Sequence, residues 1–200
     1  MLATTMLIVM FFSALPLTTE EGKQALLDQQ VSQREAFGAQ VSDQQYEGMR
    51  RGIAFAPYFA VAFVLVVVPI VALLISGILF AVFNAAMGGE ASFKQLFSVV
   101  VHAGAVSALG TVFTGPLNYF RGAVGSATNL RVLLPMVDEK SFVGRLLGMT
   151  DLFIIWWLVV LAIGIAVLYR RRTQPIAITL LGIYAVIALA VAAFMSGVGG

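Results

Sequence analysis

The chain has no cysteine and a single histidine, His102. That combination excludes a Cys/His zinc site, a thiolate-held iron-sulfur cluster, a cysteine nucleophile and a disulfide framework. Charge is almost as scarce. Twelve Lys/Arg and ten Asp/Glu make up 11% of the 200 residues, where an ordinary soluble domain carries about a quarter. A net charge of +2, with no basic stripe interleaved with aromatics, excludes nucleic acid as a partner. The charges fall in four places: ten between Glu20 and Arg51, then Glu90 and Lys94, seven between Arg121 and Asp151, and the triplet Arg170, Arg171 and Arg172.

What lies between those places is apolar. The chain is 60% hydrophobic with a mean hydropathy of +0.96, so the bilayer is its expected solvent. A helix needs about 20 apolar residues to cross a ~30 Å hydrocarbon core. Residues 57–83, 93–115, 152–169 and 175–195 read as four such spans, and residues 1–17 as a shorter first one. Met1 to Ile8 contain no Lys or Arg, which argues against a secretory signal. Seventeen residues reach about 25 Å, so the first span is expected to be short or truncated at Met1. The fold class is therefore all-α, a polytopic membrane bundle of five transmembrane helices. Its divisions are a first span at 1–17, an outer helical loop at 18–52, and a four-span bundle at 53–200 with an outer loop at 116–150.

Local punctuation supports these limits. Ser92 with Gln95 forms a capping box after Gly88 and Gly89, Gly115-Pro116 closes the third span, Thr150-Asp151 caps the fourth, and Pro175 fits the first turn of the fifth. Thr18-Thr19-Glu20-Glu21 predicts a capping box for a helix running from Ala25 to Met49, with Gly22, Gly38 and Gly48 as possible breaks. This helix is expected to form either a solvated hairpin joining the first two spans or a protruding dock for a partner. The short connection bearing Arg170, Arg171 and Arg172 without an acid sets the topology: it is cytoplasmic, as are the Gly88 turn and the N-terminus, and the C-terminus is outside. The eight Lys/Arg of the two outer loops weigh against this, but long loops obey the positive-inside rule weakly.

Ionisable groups inside a membrane are functional candidates, and here His102 alone qualifies. Ser98, one turn earlier, and Asn84, near the end of the preceding span, are expected to complete an intramembrane polar site. It could accept a proton or a lipid head group, against the plainer reading of a neutral histidine bonded across the bundle. No span interior holds a carboxylate, and no GxSxG motif occurs, so ion coupling and hydrolysis are not expected; neither are cofactors or metals. Small residues at i, i+4 spacing, Gly104 with Ala108 and Ala188 with Ala192 and Ser196, predict faces for close helix packing. Trp156, Trp157, Tyr58 and Tyr169 read as interfacial anchors. The semi-apolar run Leu130 to Met136 is expected at the interface or folded over the bundle as a lid.

The turn Met87-Gly88-Gly89-Glu90-Ala91-Ser92-Phe93-Lys94-Gln95, the segment from Asn129-Leu130 to Leu134-Pro135, and the run from Asp151-Leu152-Phe153 through Trp156-Trp157 to Leu161-Ala162-Ile163-Gly164 together resemble the Yip (Ypt/Rab-interacting protein) membrane family, in its bacterial branch. Order and spacing agree from about Gln33 to the C-terminus. The resemblance implies five spans with a cytosolic N-terminus and no catalytic residues. Eukaryotic relatives bind Rab GTPases through a cytosolic region that has no counterpart in this sequence, which sets a Rab-type GTPase aside as partner. Some bacterial relatives are associated with ABC-type exporters. The expectation is thus a non-enzymatic accessory or scaffold protein of the bacterial inner membrane, in contact with membrane lipids and with a partner complex, an ABC exporter above all. The alternatives are a small transporter or lipid-handling protein, or a membrane-organising homo-oligomer.

Overall fold

A computed structural model describes residues 1–36, 39–138 and 141–198. The described residues form helices α1 (Leu2–Ala14), α2 (Glu20–Ala36), α3 (Asp43–Ile53), α4 (Ala56–Phe80), α5 (Phe93–Ala103), α6 (Ala105–Arg121), α7 (Phe142–Met149), α8 (Leu152–Leu168) and α9 (Thr173–Val198). Two 3₁₀ turns, Pro16–Thr18 and Leu130–Leu133, and a π-helical turn, Ala81–Ala86, complete them. Among the described residues the only β pairing is an isolated bridge between Asn129 and Asp151. The fold is an all-α, membrane-type bundle.

Three helical stretches are long and apolar enough to cross a bilayer: Ala56–Ala86, Phe93–Arg121 and Thr173–Gly197. Leu2–Ala14 and Leu152–Leu168 are apolar but shorter. The core forms where α5 and α8 meet between α4 and α9. Leu96, Val100 and Ala103 of α5 pack with Leu161, Ala162, Ile165 and Ala166 of α8, flanked by Ala72 and Leu79 of α4 and Ile176 of α9. On the other side α1 lies against α4 and α6. Lipid is as apolar as leucine, so such helices associate through close backbone approach rather than through expulsion of water. Gly115 shows how close: a Cβ there would stand 2.5 Å from the carbonyl oxygen of Phe12. Ser76, fully buried in α4, donates to its own helix at Ala72 O, 2.6 Å away, and so leaves no orphan hydroxyl.

Several expected boundaries move. Pro116 does not end the third span, because α6 continues through it to Arg121. The missing Pro N–H leaves one carbonyl a turn earlier without its helical donor, a loss that packed membrane helices accommodate. The helix stops instead at Gly122, in the left-handed conformation at φ 55°, where Gly122 N–H bonds Tyr119 O and Ala123 N–H bonds Asn118 O. That pair of bonds is a Schellman motif, and the following connection starts six residues later than the 116 boundary. The same span is interrupted at Gly104, between α5 and α6.

The expected helix from Ala25 to Met49 is two helices that pack as a hairpin, α2 and α3. Ser42 and Gln45 form a full capping box that restarts the chain as α3. Gly22 and Gly48 lie within helices and break neither, and Gly38 lies outside the described residues. At the start of α2 the cap is Thr19, whose Oγ1 accepts from Gly22 N–H at 3.1 Å. The position that would reciprocate is a glycine, so the Thr18–Glu21 box does not form as expected.

Candidate functional site

The expected polar site divides. His102 and Ser98 share the exposed side of α5, with Nδ1 2.7 Å from Ser98 O and 3.3 Å from Ser98 Oγ. A carbonyl only accepts, so Nδ1 carries the proton and donates back to its own helix. The imidazole therefore bonds within α5 and not across the bundle. Asn84 is elsewhere, on the π turn at the far end of α4, where Nδ2 donates to Ala91 O at 2.6 Å and Oδ1 accepts from Tyr169 OH at 2.5 Å.

That second network builds a cleft from sequence-distant parts. After Phe80 the chain widens into the π turn and then reverses at Gly88, which takes φ 68°. Gly89 N–H closes onto Phe83 O at 2.9 Å. No side chain fits at Gly89, since a Cβ would lie 2.5 Å from the Tyr169 ring and 2.7 Å from Phe83 O. The rings of Phe83 and Tyr169 stack at 5.0 Å, which ties Tyr169 into the bundle end. Ser92 and Gln95 then start α5 with the expected capping box.

Opposite this turn α8 ends in another Schellman pair, Arg170 N–H to Val167 O at 3.3 Å and Arg171 N–H to Ala166 O at 2.9 Å. The left-handed position of that motif is normally glycine. Here it is Arg170 at φ 50°, alone among the described non-glycine residues in taking positive φ. The result is a cleft of 430 Å³ lined by Phe83, Gly89, Glu90, Gln95, Tyr169, Arg170 and Arg171 among others. Arg170, Arg171 and Arg172 are exposed, and among the described residues their guanidinium groups make no ion pair. The Gly88 and Arg170 turns thus share one end of the bundle.

The other end is organised by Asp151. Its Oδ1 caps α8 by accepting from Phe153 N–H at 2.7 Å and Ile154 N–H at 3.3 Å. Its Oδ2 accepts from Thr128 Oγ1 at 2.7 Å and from Ser126 Oγ. Burial would raise the carboxyl pKa, but these donors together outweigh it and hold the group below its ordinary value. Leu130 N–H to Thr150 O and Tyr184 OH to Met149 O fasten the same region. Asp151 is a structural latch. Beyond it Leu133 and Met136 are 70% and 86% exposed, which places the semi-apolar run on the surface of this end rather than as a cover over a cavity.

The predicted packing residues lie mostly inside the chain. Ala108, Ala188 and Ala192 are buried, and α9 meets α7 and α8. The nearest atoms to a Cβ on Gly104 would be the Val101 and Val100 carbonyls of its own helix, and Ser196 Oγ bonds its own helix at Ala193 O. The uncovered face of α9 is a different one. Gly182, Val186, Ala190, Ala193 and Gly197 are exposed and fall within about 80° of helix circumference at 100° per residue, with open space at both glycines.

The family model of the Yip1 domain matches residues 1–195. No curated protein and no solved structure matches the chain.

Proposed function

This chain belongs to the Yip1 domain family, and on that premise we propose that it is a non-enzymatic scaffold or accessory subunit of a larger assembly in a bacterial cytoplasmic membrane, with an ABC-type exporter as the favoured partner. That it is a multi-pass membrane protein follows from the family and from its long apolar helices. In this reading all five apolar helices cross the bilayer, the Arg170 to Arg172 turn and the N-terminus face the cytoplasm, and the C-terminus lies outside. The position of the Gly88 and Arg170 turns at one end of the bundle supports that arrangement.

The single observation that carries the scaffold reading is the bare face of α9. Only 17% of its most apolar stretch is buried within the chain, less than in the other two long stretches. One arc of that exposed surface is small apart from Val186, where bulky residues would serve lipid contact equally well. Gly182, Ala190 and Ala193 allow a second helix to approach closely. The test is copurification with the exporter in mild detergent. Wild-type chain is expected to retain it, and a Gly182→Leu/Ala193→Leu variant to lose it while staying folded. A chain that emerges alone, with export unchanged when it is deleted, rules the proposal out. Cross-linking between two copies through a cysteine at Ala190 would replace it by self-association.

A further inference from the structure

We infer that the cleft between the Gly88-Gly89 turn and the Arg170-Arg171 turn binds a phosphate group, such as that of an anionic lipid head group lying at the membrane surface. This goes beyond the scaffold reading and uses the Gly88 and Arg170 turns rather than the outward arc of α9. The first support is charge. Arg170 and Arg171 line the cleft with Glu90 as its one carboxylate, and among the described residues neither arginine forms an ion pair. Guanidinium presents a planar fork of donors suited to phosphate oxygens.

The second support is backbone strain. Arg170 occupies a left-handed position that glycine would fill without penalty. An arginine kept there stands beside Arg171 in the lining of a cleft that also holds Gly89. The third is construction. Tyr169, Asn84 and the Ala91 carbonyl tie three chain segments into one floor, so the cleft does not depend on a loose loop. Its 430 Å³ falls in the range of small-ligand sites. The fourth is level. α8 ends at Leu168 and α9 starts at Thr173 on either side of the arginines, so the cleft lies where two apolar helices end. Basic pockets between membrane helices at that level suit anionic head groups.

The test uses the full chain in neutral detergent. Native mass spectrometry reads retention of phosphatidylglycerol against phosphatidylcholine, and the thermal midpoint is followed with sodium phosphate against sodium chloride at equal ionic strength. Wild type is expected to hold phosphatidylglycerol at least about tenfold more tightly than an Arg170→Gly/Arg171→Gln variant, the order of one lost charge-assisted bond. Arg170→Gly relieves the left-handed strain, so the variant should fold. An Arg50→Gln/Arg51→Gln variant, altered on α3, should bind as wild type does. Stabilisation by inorganic phosphate without retention of phosphatidylglycerol assigns the same cleft to a soluble phosphate. Equal retention by wild type and cleft variant, or no preference for either anion, overturns the inference. Should the variant not fold, phenylglyoxal modification of Arg170 and Arg171 in the unaltered chain decides: slowing by phosphatidylglycerol or inorganic phosphate supports the site, and an unchanged rate overturns it.

Discussion

Asp151 takes four hydrogen bonds on two oxygens, and each has a different consequence if lost. Replacing it by Ala removes the cap of α8 and frees Ser126 and Thr128, a loss of about 2–3 kcal/mol by the usual worth of a cap and of buried hydroxyl bonds. Asp151→Asn keeps an oxygen for the cap and should lose about half as much. Its depressed pKa adds a pH signature. The stabilisation is fully present above the ordinary value of 3.8 and is lost as pH falls through the lower folded value. Thermal midpoints measured from pH 7 down to 3 should fall more steeply for wild type than for Asp151→Asn; parallel curves would show that the latch is not ionised as described. His102 is the contrasting residue. Its partners are on its own helix and its ring is exposed, so His102→Ala should change stability by less than about 1 kcal/mol. Loss of a measurable flux in a folded His102→Ala protein would favour the transporter alternative. The importance of Asp151 was legible as a helix cap. Its partners Ser126 and Thr128 were not, because loop residues 25 and 23 positions away leave no local spacing to read.

At the scale of the element, α6 separates signals that a membrane helix obeys from those it overrides. Pro116 forfeits one bond and the helix passes through it, whereas Gly122 reverses the chain and the helix ends. Gly122→Ala should therefore cost about 1–2 kcal/mol from left-handed strain alone, and its Cβ would also stand 2.8 Å from Glu21 Cβ on α2. Gly115→Ala should cost about 1–3 kcal/mol, by forcing α1 away from α6 at a contact with backbone. Denaturant titration in mixed micelles measures both; if Pro116→Ala proves the more damaging of the three, the account of α6 is wrong. The capping box at Ser92 and the cap at Asp151 were readable because their partners sit two or three residues away. On α9 the small-residue spacing picked out Ala188 and Ala192, which are buried; it did not pick out the exposed arc of Gly182, Ala190 and Ala193, because a helix bathed in lipid is apolar all round and periodicity does not tell its faces apart.

For the whole molecule, the pairing of ends is the feature from which topology follows. Helix α2 and the start of the connection after α6 meet at one end: a Cβ on Gly122 would touch Glu21, and Leu26 shares a cavity wall with Val124 and Gly125. The Gly88 and Arg170 turns share the other. Because the chain lacks native cysteine, single cysteines report this directly. Cysteines at Gly88 and Arg172 should react with an impermeant thiol reagent only from the cytoplasmic face, and one at Met136 only from outside. Labelling of Gly88 and Arg172 from opposite faces would refute the arrangement. By itself the sequence determined the solvent, the helical class, the turns that hold the charges and most helix ends, since each depends on composition or on bonds within a few residues. The tertiary structure alone decided that Ser126 and Thr128 close on Asp151, that Asn84 belongs with Tyr169 rather than with His102, and that Gly89 and Arg170 line one cleft. Those are contacts between segments tens of residues apart, and in a chain apolar on every side no local pattern marks them.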